Sequence, residues 1–251
     1  VAVATNGTAA GKILLQLSSS LSNEAYRVTV TAVGAVVEAG NYAALAAASM
    51  SLLQSASYDG TQTSFPCMSV NDAPFVPYRG LMIDCARQLH SVATLKQIIQ
   101  LCRLYKIRYL QLHLTDDQGF MFPSTAYPLL NTQNQSGPAY TLAELRDLER
   151  YSQDRGVTII PELEIPGHEA AMNRAMPDLF KIKDTLPYEH HATINWAKAD
   201  VTNALDVLIG EICSVFQATP YFHIGGDEAD FVYAHQNTNF IQRFQELGYA
   251  L

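Results

Sequence analysis

Residues 221–230 read YFHIGGDEAD. An apolar, strand-like run meets two glycines, Gly225 and Gly226, and then two adjacent carboxylates, Asp227 and Glu228. Acids placed directly beyond a strand and a glycine turn suggest a strand end that carries chemistry. Working back along the chain, the pattern repeats. VTIIPELE (157–164) is a strand-like run bearing Glu162 and Glu164, with His168 just beyond it. IRYLQLHL (107–114) ends at His113 and is followed by Asp116 and Asp117, and GLMIDC (80–85) carries Asp84.

Between these runs lie segments of helical periodicity: TLKQIIQLCRLY (94–105), TLAELRDLERYSQDRG (141–156) and ADVTNALDVLIGEICSVF (199–216), with NFIQRFQEL (239–247) last. Thr141 and Glu144 have capping-box spacing, and Gly156 closes that helix. Apolar runs alternating with helices indicate an α/β fold on a parallel sheet, doubly wound or barrel. The loops choose between the two. They are long after the second and third strands and short on entry to strands, and the polar groups gather at all four carboxyl ends, where barrel enzymes carry their sites. No Gly-rich phosphate fingerprint follows the first strand, which argues against a nucleotide-binding doubly wound sheet. The fold expected is a (β/α)8 TIM-type barrel of which about the first four βα units are present.

Upstream, KILLQL, AYRVTVT and AVVEAG are short strands. NYAALAAASMSLLQ is a helix with Asn41 as N-cap, and NDAPFVPYRG is a linker. The expected domains are a small α+β domain over 1–72 and the first half of the barrel over 73–251.

Composition narrows the function. Of 251 residues, 16 are Lys or Arg and 24 are Asp or Glu, a net charge of −8. An acidic chain without a basic stripe does not suit nucleic acid. The longest apolar helical run, near Tyr42 to Leu53, falls short of the ~20 residues of a membrane span. No charged segment leading into an apolar one opens the chain, so a signal peptide is expected to be absent or removed. The four cysteines, Cys67, Cys85, Cys102 and Cys213, form no CxxC pair and read as buried free thiols or one disulfide.

The acidic face has three candidate uses: a divalent metal, acid/base chemistry on a sugar, or a solvated rim. His113, Asp116, His168, His223 and Asp227 are the metal-ligating types, but no HxH or HExxH spacing is present, and no metal or cofactor is expected. His190 and His191 read as solvent-facing loop residues. Glycoside hydrolysis needs a proton donor for the leaving oxygen and a second group for the developing cation. Neighbouring acids diverge, so Asp227 and Glu228 suit a division in which one reaches the glycosidic oxygen and the other holds a substituent. That fits a substrate that supplies its own nucleophile.

HIGGDE (223–228), preceded in order by YRGLMIDCAR (78–87), LHLTDDQGF (112–120) and PELEIPGHEAA (161–171), resembles glycoside hydrolase family 20, the β-N-acetylhexosaminidases. EAYRVTVTAVGAVVEAGNYAALAAASMSLLQ (24–54) resembles that family's small domain before the barrel. The resemblance implies removal of terminal β-linked N-acetylglucosamine or N-acetylgalactosamine from an oligosaccharide or glycoconjugate, through an oxazolinium intermediate and with retention. It implies Glu228 as general acid/base, Asp227 as the acid on the 2-acetamido group, and Asp116 with His168 as a supporting pair. It makes Arg79 the arginine on the sugar's distal hydroxyls, with His113 and Glu164 also expected to bind substrate. Glu228 must carry a proton when substrate binds, and an ionised Asp227 beside it favours that state. The glycines let the chain turn beneath the sugar. A secreted, periplasmic or lysosomal location is expected.

The chain departs from the family pattern at Phe120 and Met121, where Trp then Arg is frequent, at Glu164, where Asp is frequent, and at QLHSV after DCAR. These departures bear on leaving-group preference. A whole barrel takes about 200–250 residues, so further strands, from the same polypeptide or a partner chain, are expected to supply the aromatics around the acetamide. The alternatives are an inactive sugar-binding homologue and a metal-dependent hydrolase on a similar barrel.

Overall fold

A computed structural model describes residues 2–4, 11–183, 192–229 and 236–249. The chain forms two compact units: Val1–Leu81 with Lys96–Leu110 and Tyr151–Thr158, and Met82–Leu95 with Gln111–Arg150 and Ile159–Leu251.

In the first unit, strands β1 (Ala2–Ala4), β2 (Lys12–Leu17), β3 (Tyr26–Thr31) and β4 (Gly34–Ala39) precede helix α1 (Tyr42–Gln54). A two-residue pair follows, β5 (Ser57–Tyr58) with β6 (Thr63–Ser64), and then β7 (Met68–Asp72). The sheet order is β1-β2-β4-β3-β7. It therefore has five strands where three were expected, because β1 and β7 are too short or too polar to show a period. The alternating burial of β3 and β4 puts Tyr26, Val28, Val30, Ala35, Val37 and Ala39 on one face against Ala44, Ala48 and Leu52 of α1. Small alanines let the helix lie close to the sheet. Asn41 caps α1 as expected, its Oδ1 accepting from Ala44 N at 2.8 Å.

The α/β portion begins with β8 (Gly80–Asp84), α2 (Val92–Leu104) and β9 (Tyr109–His113). Next come a small hairpin of β10 (Thr115–Asp116) with β11 (Gly119–Phe120), helix α3 (Leu142–Gln153) and β12 (Thr158–Glu162). Helices α4 (Ala170–Ala175), α5 (Pro177–Phe180), α6 (Ala199–Val215) and α7 (Thr238–Glu246) complete the chain. Strand order is β12-β9-β8. Cys85 N donates to His113 O at 3.0 Å, and His113 Nδ1 lies 3.0 Å from Glu162, so the carboxyl ends of all three strands come together. Parallel strands joined through helices require this arrangement.

The expected fourth strand is reduced to a single parallel bridge, Glu162 with His223, flanked by Leu163 N to His223 O at 3.1 Å and Ile165 N to Ile224 O at 3.1 Å. The early glycine turn ends the ladder there. The capping box at α3 forms reciprocally: Thr141 N donates to Glu144 Oε2 at 2.8 Å and Glu144 N to Thr141 Oγ1 at 3.1 Å. All four cysteines are free; Cys85 and Cys102 are buried but Cys67 and Cys213 are exposed. No helix among the described residues is long and apolar enough to cross a membrane.

Candidate active site

The strand ends build an inner charged layer. Asp84, closing β8, accepts from Ala86 N at 3.0 Å and Arg87 N at 2.9 Å, so the chain turns tightly and brings the Arg87 guanidinium back over the strand end. There Arg87 pairs with Asp84 Oδ2 at 2.8 Å and Asp116 Oδ2 at 2.7 Å. His113, closing β9, is buried with Nε2 2.8 Å from Asp116 and Nδ1 3.0 Å from Glu162. Glu162 also accepts from Gln111 Nε2 at 2.9 Å, and its other oxygen lies 2.9 Å from His223 Nδ1. Burial opposes the imidazolium, but the hydrogen bonds to Asp116 and Glu162 outweigh it and push His113 up to about 10. Burial likewise disfavours the Glu162 carboxylate, yet bonds from His113 and Gln111 bring it down to about 2. Asp116 is held below the ordinary carboxylate value by His113, the Asp117 amide and Arg87, against burial. His113 is thus favoured as the cation and Asp116 and Glu162 as carboxylates, opposite charges held at hydrogen-bond distance.

Above it stands the glycine turn. Glu164 is buried, and its Oε1 accepts from Gly226 N at 2.6 Å and Asp227 N at 3.0 Å. Gly225, at φ 67°, has no alternative residue here: a Cβ on it would lie 2.1 Å from the Glu164 carboxyl carbon. The turn therefore delivers Asp227 and Glu228 on a backbone clamped from below, and their side chains are 75% and 78% exposed, facing outward. Glu228 sits at φ 41° and His168 at φ 51°, left-handed values that non-glycine residues rarely adopt. Such strain clusters where a fold holds side chains for a task. His168 Nδ1 lies 3.6 Å from Asp116 Oδ1 and from Asp117 Oδ2, and its Nε2 lies 3.4 Å from Glu228 Oε2 and 3.9 Å from Asp227 Oδ2. An acid–imidazole–acid line thus runs from Asp116 through His168 to Glu228.

Asp116, His168, Asp227 and Glu228 come together as one constellation. Three other expected residues have protein partners of their own. Arg79 precedes β8 at its amino end, and its guanidinium is taken up by Glu24 at 2.9 Å and by the carbonyls of Val76, Pro77 and Lys106. Both ring nitrogens of His113 are held by carboxylates, so it has no donor left for a sugar and acts as a buried counter-ion. Glu164 clamps the glycine turn from inside, accepting from the Gly226 and Asp227 amides. The space that Gly225 leaves is filled by Glu164, whereas a Cβ on Gly226 would meet nothing within 4 Å. Phe120 and Met121 are fully buried, so they face the protein interior. Trp196 packs edge-on against Phe240 of α7 at 5.0 Å between ring centres. His190 and His191 lie outside the described residues.

Two residues escaped the sequence reading. Arg87 is half-exposed beside Asp84 and Asp116; its signal was the Asp-x-x-Arg spacing at a strand end. Glu169, next to His168, is entirely buried. Among the described residues, atoms of metal-ligating types lie within 4.8 Å of one another in three groups: Asp84, His113 and Asp116; His113, Glu162 and Glu164; Asp116, Asp117 and His168. In each the carboxylates face an imidazole, and Asp84 and Asp116 also face Arg87.

Comparison with known proteins decides the family. The profile described as glycosyl hydrolase family 20, catalytic domain, matches residues 76–250, and that family's domain 2 matches residues 1–73. The chain belongs to glycosyl hydrolase family 20. Among family relatives, a beta-hexosaminidase of Vibrio furnissii is 30% identical over 240 residues, covering 86% of this chain and 39% of that protein. A beta-N-acetylhexosaminidase of Cellulomonas fimi is 34% identical over 239 residues, covering 89% of this chain and 48% of that protein. The family 20 exo beta-N-acetylglucosaminidase of Vibrio harveyi, solved with N-acetylglucosamine, superposes with a TM-score of 0.83 at 31% identity, over 95% of this chain and 41% of that one. The chain thus spans less than half the length of these family 20 proteins.

Proposed function

We propose that this chain carries the catalytic acids of a retaining exo-β-N-acetylhexosaminidase working by substrate assistance. The carrying observation is the line Asp116–His168–Glu228 beside an outward-facing Asp227 on a clamped turn. In this reading Glu228 gives its proton to the glycosidic oxygen as the C1–O bond breaks. The carbonyl oxygen of the substrate's own acetamide attacks C1, forming the oxazolinium. Asp227 accepts the acetamide N–H and stabilises the positive charge. Water then adds to C1, its proton passes to the Glu228 carboxylate, and two inversions give net retention. His168, 3.4 Å from Glu228 and 3.6 Å from Asp116, is placed to close a hydrogen bond to Glu228 when substrate is bound. Arg79, with its planar fork of donors, is the arginine for the sugar's distal hydroxyls, and Arg87 pairs with Asp84 and Asp116 beneath the acids.

The names of the relatives support N-acetylhexosamine-terminated glycans as substrates, chitooligosaccharides among them. Residues 1–72 serve as the accessory domain and 73–251 as the first half of the barrel, with further strands completing the pocket around the acetamide.

Glu228→Gln in the intact enzyme is the test. General-acid help contributes about 10²–10⁴-fold, so hydrolysis of an N-acetylglucosaminide with a poor leaving group should fall by that range, and with a nitrophenolate, which needs no proton, by far less. Equal losses on both substrates would reject Glu228 as the acid.

A further inference from the structure

We propose that Glu169 is a positioning residue of this site, held in its neutral, protonated form, and that it fixes the Gly225–Gly226 turn through Thr115 and Glu164. Its kinetic consequence rests on the hydrolase reading above; its structural consequence does not.

Glu169 opens α4, where an acid would ordinarily cap the helix. That task falls to Asp117, whose Oδ1 accepts from Ala170 N at 3.1 Å. The Glu169 backbone is pinned on both sides, its N–H to Ala192 O at 2.7 Å and its carbonyl accepting from Asn173 N at 3.0 Å. The side chain is thereby turned inward and has no exposure. Oε1 accepts the Thr115 hydroxyl at 3.3 Å, and Oε2 has no hydrogen-bond partner. The charged groups facing it are Glu164, Asp116 and Asp117, all acids. A bare carboxylate there would be desolvated and surrounded by its own sign, which is the costliest state for a buried group. Burial, reinforced by those three neighbours, accordingly raises Glu169 well above the ordinary value, the Thr115 bond opposing only in part.

From this carboxyl a hydrogen-bonded chain runs to the catalytic acids. Thr115 donates to Glu169 and accepts from Glu164 N at 2.9 Å; the Glu164 carboxylate accepts from Gly226 N and Asp227 N. Burial already raises Glu164 above the ordinary value, against the bonds from the Asp227 and Gly226 amides, and a neutral Glu169 adds no further negative charge against it. Ionising Glu169 sets a second negative charge against Glu164 and Asp116 and loosens the turn.

The sign follows. An acid raised in the fold contributes its stability fully below its ordinary value, about 4.3, and loses it as pH rises. Glu169→Gln mimics the neutral acid at every pH. Thermal melts of both forms between about pH 5 and pH 8 should show a gap in Tm, variant above wild type, that widens with pH. In the intact enzyme the alkaline limb of kcat should move to higher pH in the variant, with KM unchanged.

A Tm gap independent of pH overturns the neutral state, as does a variant that fails to fold at the acid end. A widening gap with an unmoved kcat limb overturns the positioning role. If neither form hydrolyses an N-acetylhexosaminide, the hydrolase reading has failed and the melts still decide the charge state.

Discussion

At the scale of single residues, the site is an exercise in holding charge out of water. His113 and Glu162 contribute through paired ionisation, and the direction of each shift defines a window. His113, raised to about 10, contributes fully below its ordinary value of about 6.5 and loses that contribution as pH climbs. Glu162, lowered to about 2, contributes fully above its ordinary value of about 4.3 and loses it as pH falls. Both act together between those two ordinary values. Removing one partner of a buried ion pair costs about 3–5 kcal/mol. His113→Gln should therefore destabilise most near pH 5.5, with the difference from wild type shrinking on either side. Urea melts at three pH values measure it, and a pH-independent difference would show that the network is not ionised. Arg87 illustrates why the site was only half legible: the Asp84 turn that brings it back over the strand end is a hydrogen-bonded feature invisible in spacing.

Among elements, the decisive one is the turn after the bridge at His223. The sequence announced it plainly, since two glycines before two acids have few other uses. Its support was hidden. Glu164 reads as one more acid on an acidic face, and only packing shows that its carboxyl lies where a Gly225 side chain would stand. Gly225→Ala must displace either Glu164 or the turn, and it also strains a backbone at φ 67°. Misplacing catalytic groups by about 1 Å can cost about 10²-fold, so kcat/KM should fall by roughly that factor while the far-UV circular dichroism spectrum stays that of wild type. Unimpaired activity would mean that the clamp does not matter. The helices were the easiest elements to read, because their caps are local: Asn41 and the Thr141–Glu144 box need no tertiary context. The short strands β1 and β7 were missed for the converse reason, being specified by their neighbours in the sheet and not by their own pattern.

For the molecule as a whole, the alternation of strands and helices and the gathering of acids at carboxyl ends carried the fold class, and the order β12-β9-β8 agrees with it. Exposed apolar side chains mark the two flanks of that sheet, Leu81 and Met82 on β8, Tyr221 and Ile224 beside the bridge. Closure into a barrel would bury them, since barrels have no open edges. In the substrate-assisted reaction proposed above, the substrate's acetamide, guided by Asp227, is the nucleophile. That role is tested most directly on the intact enzyme with 4-nitrophenyl β-glucosaminides whose N-acetyl group carries none, one, two or three fluorines. Fluorine withdraws electrons from the acyl oxygen and weakens it as a nucleophile while leaving the rest of the sugar unchanged. The expected result is a steep, stepwise fall in kcat along the series. A rate indifferent to fluorination would contradict substrate assistance and assign the nucleophile to the protein.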